Sequence, residues 1–158
     1  MLKDALVVPM TATTGEQEWF RGSVGVVGNR IVLVSDDAER VARFEAEHPE
    51  LRVVDCAGRA VMPGLINTHC HAAMTLQRNR ADDIPLMAWL NDHIWPFEAK
   101  QTKEDIALGM TLGMAEMLLG GITSFVDMYF EEDHCVEVVE KMGMRAVLGC
   151  SYFDATLG

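Results

Sequence analysis

The stretch Val61-Met-Pro-Gly-Leu-Ile-Asn-Thr-His-Cys-His71 constrains the fold more than any other part of the chain. Pro63-Gly64 interrupts whatever precedes it. Leu65 to His71 then reads as a short, buried, mainly apolar strand ending in two histidines. Strand side chains alternate faces, so His69 and His71 share one face and Cys70 turns to the other. Two steps of rise separate the histidines by roughly 6.6 Å at Cα, close enough for both rings to meet one ion. Imidazole is the commonest neutral metal ligand, and two on one strand end make half of a zinc-type site. The plainer alternative is two polar residues at a strand end, satisfied by backbone partners.

The flanking segments give that strand a context. Before it, Ala5 to Met10 reads as a strand, Thr11 to Glu18 as a loop, and Ser23 to Val27 and Ile31 to Ser35 as a hairpin around Gly28-Asn29. Asp36-Asp37 caps a short charged helix that ends before His48-Pro49, and His48 reads as a solvated residue at its end. Arg52 to Asp55 and Arg59 to Met62 are two more short strands. Residues 1–60 are therefore a small β-unit with one helix.

After His71 the pattern changes. Ala72 to Leu76 is a short turn or helix, Gln77 to Ile84 a loop, and Pro85 to Trp95 a helix with proline at its start. Thr102 and Asp105 have the spacing of a capping box, and a long helix follows to Gly120-Gly121. Its stripe of Ile106, Met110, Gly113, Met114 and Met117 is core packing. Thr123 to Met128 reads as a strand, Glu132 to Lys141 as a helix capped near Gly143, and Arg145 to Tyr152 as another strand. Strands alternating with helices predict an α/β fold with a parallel sheet and right-handed crossovers. The histidines then sit at the C-terminal end of the first strand, which is the active-site face of a (β/α)8 barrel. A doubly wound sheet would want a glycine-rich turn there, and Ala72-Ala73-Met74 is not one.

Charge and composition remove other classes. With 13 basic against 24 acidic residues, a net charge of −11 argues against binding a phosphate backbone, so no nucleic-acid partner is expected. No run of 18 apolar residues or signal-peptide core is present, so neither a membrane partner nor secretion is expected. Cys56, Cys70, Cys135 and Cys150 lack close pairing, which fits reduced thiols in a cytoplasmic protein.

The segment from Val61 through His69-Cys-His71 to Met74 resembles the start of the amidohydrolase superfamily barrel. Ala81-Asp-Asp-Ile-Pro-Leu-Met-Ala-Trp-Leu90, His93-Ile-Trp-Pro-Phe-Glu98 and Gly120-Gly-Ile-Thr-Ser-Phe-Val-Asp-Met-Tyr129 extend the likeness. Within the superfamily they resemble the 5′-methylthioadenosine/S-adenosylhomocysteine deaminases, with the triazine hydrolases and chlorohydrolases as close kin. The resemblance covers the whole chain. It implies that residues 1–60 are part of a small β-sandwich domain and that 61–158 are the first part of a metal-dependent barrel, about three strands of it.

By that resemblance His69 and His71 are two metal ligands, for zinc first, with iron or manganese open. Trp89 lies against the base of a nucleoside and Glu98 accepts hydrogen bonds from ribose hydroxyls. The bland readings are a core tryptophan and a solvated carboxylate. The family's further ligands and proton carriers lie beyond this stretch, so no catalytic residue is assigned within 1–158, and Asp82, Asp83 and Asp127 are taken as structural. The implied reaction is hydrolytic deamination of a small nucleoside, with a triazine or other purine amino- or chlorohydrolase, or a non-catalytic fragment, as alternatives. A three-strand piece would leave its inward sheet face open, exposing residues such as Leu65, Phe125 or their strand neighbours. Homo-oligomerisation, or association with the rest of a barrel, is expected.

Overall fold

The structure, a computed structural model, describes residues 1–11 and 18–152. Part of the loop expected over Thr11 to Glu18 therefore lies outside the described residues. The chain divides into two compact units, Met1–Pro63 and the remainder from Gly64.

In the first unit β1 (Leu2–Val7), β2 (Phe20–Val27) and β3 (Arg30–Ser35) form an antiparallel meander. The short strands β4 (Val54–Asp55) and β5 (Ala60–Val61) both lie parallel to β1. The turn between β2 and β3 uses Gly28 at φ 58°, where a side chain would be strained. Helix α1 (Ala38–Glu47) starts at Asp37, whose carboxylate accepts the Glu39 and Arg40 N–H groups. Its Val41 and Phe44 bury against Leu33 and Met1.

The second unit carries a three-stranded parallel sheet in the order β6 (Leu65–Cys70), β7 (Ile122–Tyr129), β8 (Arg145–Cys150). The β6–β7 crossover opens with a 3-10 helix, Ala72–Gln77, and closes with α4 (Lys103–Leu119). The Thr102–Asp105 capping box forms in both directions. Between them α2 (Leu86–Ala88), a π-helical stretch (Trp89–Ile94) and α3 (Trp95–Glu98) follow without a break. The sequence reading expects one plain helix there. The Trp95 N–H instead reaches back to the Leu90 carbonyl, and Pro96, with no N–H, cannot complete the next α-helical bond. A 3-10 turn (Glu132–Cys135) and α5 (Val136–Met142) connect β7 to β8, and Gly143 at φ 70° ends α5.

The core of this unit is one layer deep, between sheet and helices. Ala72 and Ala73 of the 3-10 helix, Met110 and Met114 of α4, and Phe125 and Tyr129 of β7 are its centre. Of the residues expected on an open face, Leu65 is exposed, but Phe125 is buried, only 1 % exposed, and its strand neighbour Val126 takes the open side instead. Phe125, Asp127 and Tyr129 all turn toward the helices, while Val126 and Met128 turn away and are 37 % and 53 % exposed. Val147, which pairs with Val126, is exposed as well, and so is Ile66, which pairs with Ser124.

Candidate metal-binding site and cavity

Strand β6 delivers His69 and His71 side by side, with ring centroids 5.2 Å apart and the rings edge-on. Cys70 turns away and packs against the helix-side core. The strand is not regular here. Asn67 pairs with Phe125 and Cys70 with Asp127, so β6 carries one residue more than β7 over this interval, a bulge around Thr68 and His69. His71 follows the last strand residue and leads into the 3-10 helix.

Both sides of His71 are tied to β7. Its Nδ1 lies 2.6 Å from the Met128 carbonyl oxygen. A carbonyl only accepts, so Nδ1 carries the proton of the neutral ring and Nε2 keeps its lone pair. This backbone-oriented imidazole fits what a divalent metal requires of a ligand. On the chain's other side the Asp127 carboxylate accepts the Ala72 N–H at 2.9 Å and the Met128 N–H at 2.8 Å. Asp127 is 1 % exposed, and burial pushes its carboxyl above the ordinary range, against the pull of those two N–H groups.

Below it, Glu132 is fully buried, and neither of its oxygens has a hydrogen-bond partner among the described residues. Burial first, and the charge of Asp127 second, push Glu132 up to about 8. Burial likewise pushes the Cys70 and Cys135 thiols up to about 12, so neither is a nucleophile.

A cavity of about 200 Å³ opens beside His71. Trp89, Ile94, Trp95 and Glu98 from the helical crossover, Met128 and Tyr129 of β7 and the following Phe130 line it. Three of the four residues singled out from sequence, His71, Trp89 and Glu98, thus meet at one cavity, and His69 stands beside His71. Glu98 is not a solvated carboxylate: its Oε1 accepts the Tyr129 hydroxyl at 2.7 Å. Sequence reading gave no role to Tyr129 or Glu132 and left Asp127 merely structural. One signal was available, because Phe125-x-Asp127-x-Tyr129 places all three on one strand face.

Among the described residues, a second group of possible ligands is Glu131, Asp133 and His134. It is exposed, and Lys103 already pairs with Glu131 at 3.0 Å.

A parallel sheet crossed by helices, with two histidines at the end of its first strand, is the arrangement that opens a (β/α)8 barrel with its site at the strand C-termini. The chain belongs to the amidohydrolase family, whose profile matches residues 60–156. It is 43% identical over 150 residues to a 5-methylthioadenosine/S-adenosylhomocysteine deaminase of Symbiobacterium thermophilum, covering 94% of this chain and 32% of that protein. It is 45% identical over 134 residues to a 5'-deoxyadenosine deaminase of Methanothermobacter thermautotrophicus, covering 85% of this chain and 30% of that one. Among solved structures, a zinc-bound adenosine deaminase from Xanthomonas campestris superposes with TM-score 0.73 at 37% identity, covering 92% of this chain and 32% of that one. The chain thus spans about a third of the length of the relatives it matches.

Proposed function

We propose that this chain forms the first part of a zinc-dependent deaminase acting on adenosine-type nucleosides of the 5′-methylthioadenosine/S-adenosylhomocysteine class. The observation that carries the reading is the meeting of His71, Trp89 and Glu98 around one largely apolar cavity. The deaminase names of the relatives and the zinc in the Xanthomonas structure support it.

In this reading His69 and His71 hold the divalent ion, and the Met128 carbonyl fixes the ring of His71. The ion supplies Lewis-acid activation of the attacking water. Trp89 offers its indole face to the purine. Glu98 accepts from the ribose hydroxyls, and the apolar walls keep water off the base. No residue of this chain is assigned the proton transfers. A triazine offers Glu98 no hydroxyl pair, which sets that reading second.

Residues 1–60 are, in this reading, part of the small β-domain that accompanies the barrel. The exposed row Ile66, Val126, Met128 and Val147 supports association across that sheet face, with further barrel strands or another copy. None of the described helices is long and apolar enough to cross a membrane, and a cytoplasmic setting is proposed with the rest.

The test is a graft. This chain replaces the matching segment of the Symbiobacterium relative, and ammonia release is followed from 5′-methylthioadenosine, adenosine and an aminotriazine. Turnover of the nucleosides but not the triazine is expected. A metal-loaded graft that prefers the triazine overturns the reading.

A further inference from the structure

The Tyr129 hydroxyl sits at the centre of three polar side chains from three separate segments. Gln77 Nε2, at the end of the 3-10 helix after His71, donates to it at 3.0 Å. Glu98 Oε1, from the last residue of α3, lies at 2.7 Å, and Gln101 Oε1, just before α4, lies at 3.1 Å. Tyr129 is 4 % exposed and Gln77 5 %, so water cannot substitute freely for a lost partner.

A phenol has one proton to give and two lone pairs. The charged, nearer carboxylate takes the proton. The Gln101 amide is then best satisfied with its nitrogen toward Oη, because its Nε2 is otherwise buried without a partner. Every group around Oη then has a consistent role: two amides donate to it, and it donates to Glu98. One Glu98 oxygen is thereby pinned, leaving Oε2 and the second lone pair of Oε1 for a ligand.

We infer that Tyr129 is a positioning residue that fixes Glu98 as the acceptor for a vicinal hydroxyl pair, and so sets preference for ribosides over deoxy sugars. This rests on the reading of Glu98 given above. Tyr129 itself touches no reacting atom. Its phenol ring packs in the core at the cavity's edge, and its hydroxyl is the group that meets Glu98.

The test uses this chain and needs no turnover. Trp89 and Trp95 line the cavity, so their emission reports binding of adenosine and of 2′,3′-dideoxyadenosine. Wild type is expected to prefer adenosine. Tyr129→Phe, with its fold checked by circular dichroism, should weaken adenosine binding about tenfold, the worth of one hydrogen bond to a charged group, and leave the dideoxy compound nearly unchanged. Gln77→Met, which removes one donor to Oη but keeps the phenol, should shift the preference the same way by less. It decides the matter if Tyr129→Phe does not fold. Equal weakening of both ligands would mean that Tyr129 is only structural, and the inference fails. If Glu98→Gln abolishes the preference and a folded Tyr129→Phe keeps it, the inference fails while the Glu98 reading stands. If wild type shows no preference or binds neither ligand, both fall.

Discussion

The Asp127 carboxylate holds the backbone N–H of Ala72 at 2.9 Å, across 55 positions of sequence. Ala72 follows His71, and Met128, whose carbonyl oxygen is bound by His71 Nδ1, follows Asp127. One buried side chain therefore stitches the ends of two parallel strands together where the two histidines emerge.

Asp127→Ala should cost about 3 kcal/mol, since the buried Ala72 N–H and the partly buried Met128 N–H lose their acceptor and a small cavity opens. Asp127→Asn, whose amide oxygen can still accept from Ala72, should recover part of that loss. Urea unfolding of both variants checks it. A loss below about 1 kcal/mol for Asp127→Ala would mean that other groups hold this junction.

Glu132 makes stability depend on pH in the direction opposite to most carboxylates. Its folded-state pKa is raised, to about 8, so the folded state binds the proton more tightly than the unfolded chain does. Its contribution is complete below the ordinary glutamate range near 4.3 and is lost as pH rises through about 8. Asp127, also raised, adds in the same sense. Unfolding free energy should therefore fall between pH 5 and 9 by on the order of a few kcal/mol. In Glu132→Gln this slope should flatten, with the variant gaining on wild type at the alkaline end. A wild-type curve that is flat, or that rises with pH across this window, would contradict the assignment.

Gly109 tests the packing of α4 on the 3-10 helix. Helix propensity alone says that Gly→Ala should stabilise by about 1 kcal/mol. A Cβ at Gly109, however, would run into the Ala73 carbonyl oxygen, which is backbone and cannot swing aside. The steric term, about 1–3 kcal/mol, should win, so Gly109→Ala should lower the melting temperature. Leu108→Ala, at the preceding position and 60 % exposed, should be nearly neutral. A raised melting temperature for Gly109→Ala would show that the two helices can part at little cost.

Features set by a few neighbouring residues were the ones that sequence could show. The Thr102–Asp105 capping box, the Asp37 cap, the Gly143 stop and the nearness of His69 to His71 at the end of β6 all depend on spacings of five residues or fewer. The bulge in β6 was not readable, because it exists only relative to the register of β7. The π-helical stretch was missed although Pro96 was in view, since a proline shows that a bond is lost and not how the helix makes up for it. The polar contacts of Glu98 and Ala72 come from β7, dozens of positions away, and no local pattern encodes them. The same distance explains why Phe125 turns inward and its strand neighbour Val126 outward: which face of β7 meets the helices is decided by α4 and the 3-10 helix packing on it.

The last prediction concerns the two histidines without the rest of a metal shell. Among the described residues no third His, Cys, Asp or Glu joins His69 and His71 in a ligand cluster; the group that does cluster is Glu131, Asp133 and His134, which Lys103 already neutralises in part. Two neutral imidazoles leave half of a tetrahedral zinc shell to water and bring no charge to offset the ion. Zinc titrated into this chain by calorimetry should therefore bind far more weakly than at a four-ligand structural site. The residual binding should vanish in His71→Ala, because that change also removes the ring held by the Met128 carbonyl. Glu131→Gln should leave it unchanged. Tight, one-to-one binding would point to ligands outside the described residues, and binding lost in Glu131→Gln but kept in His71→Ala would move the metal away from β6 altogether.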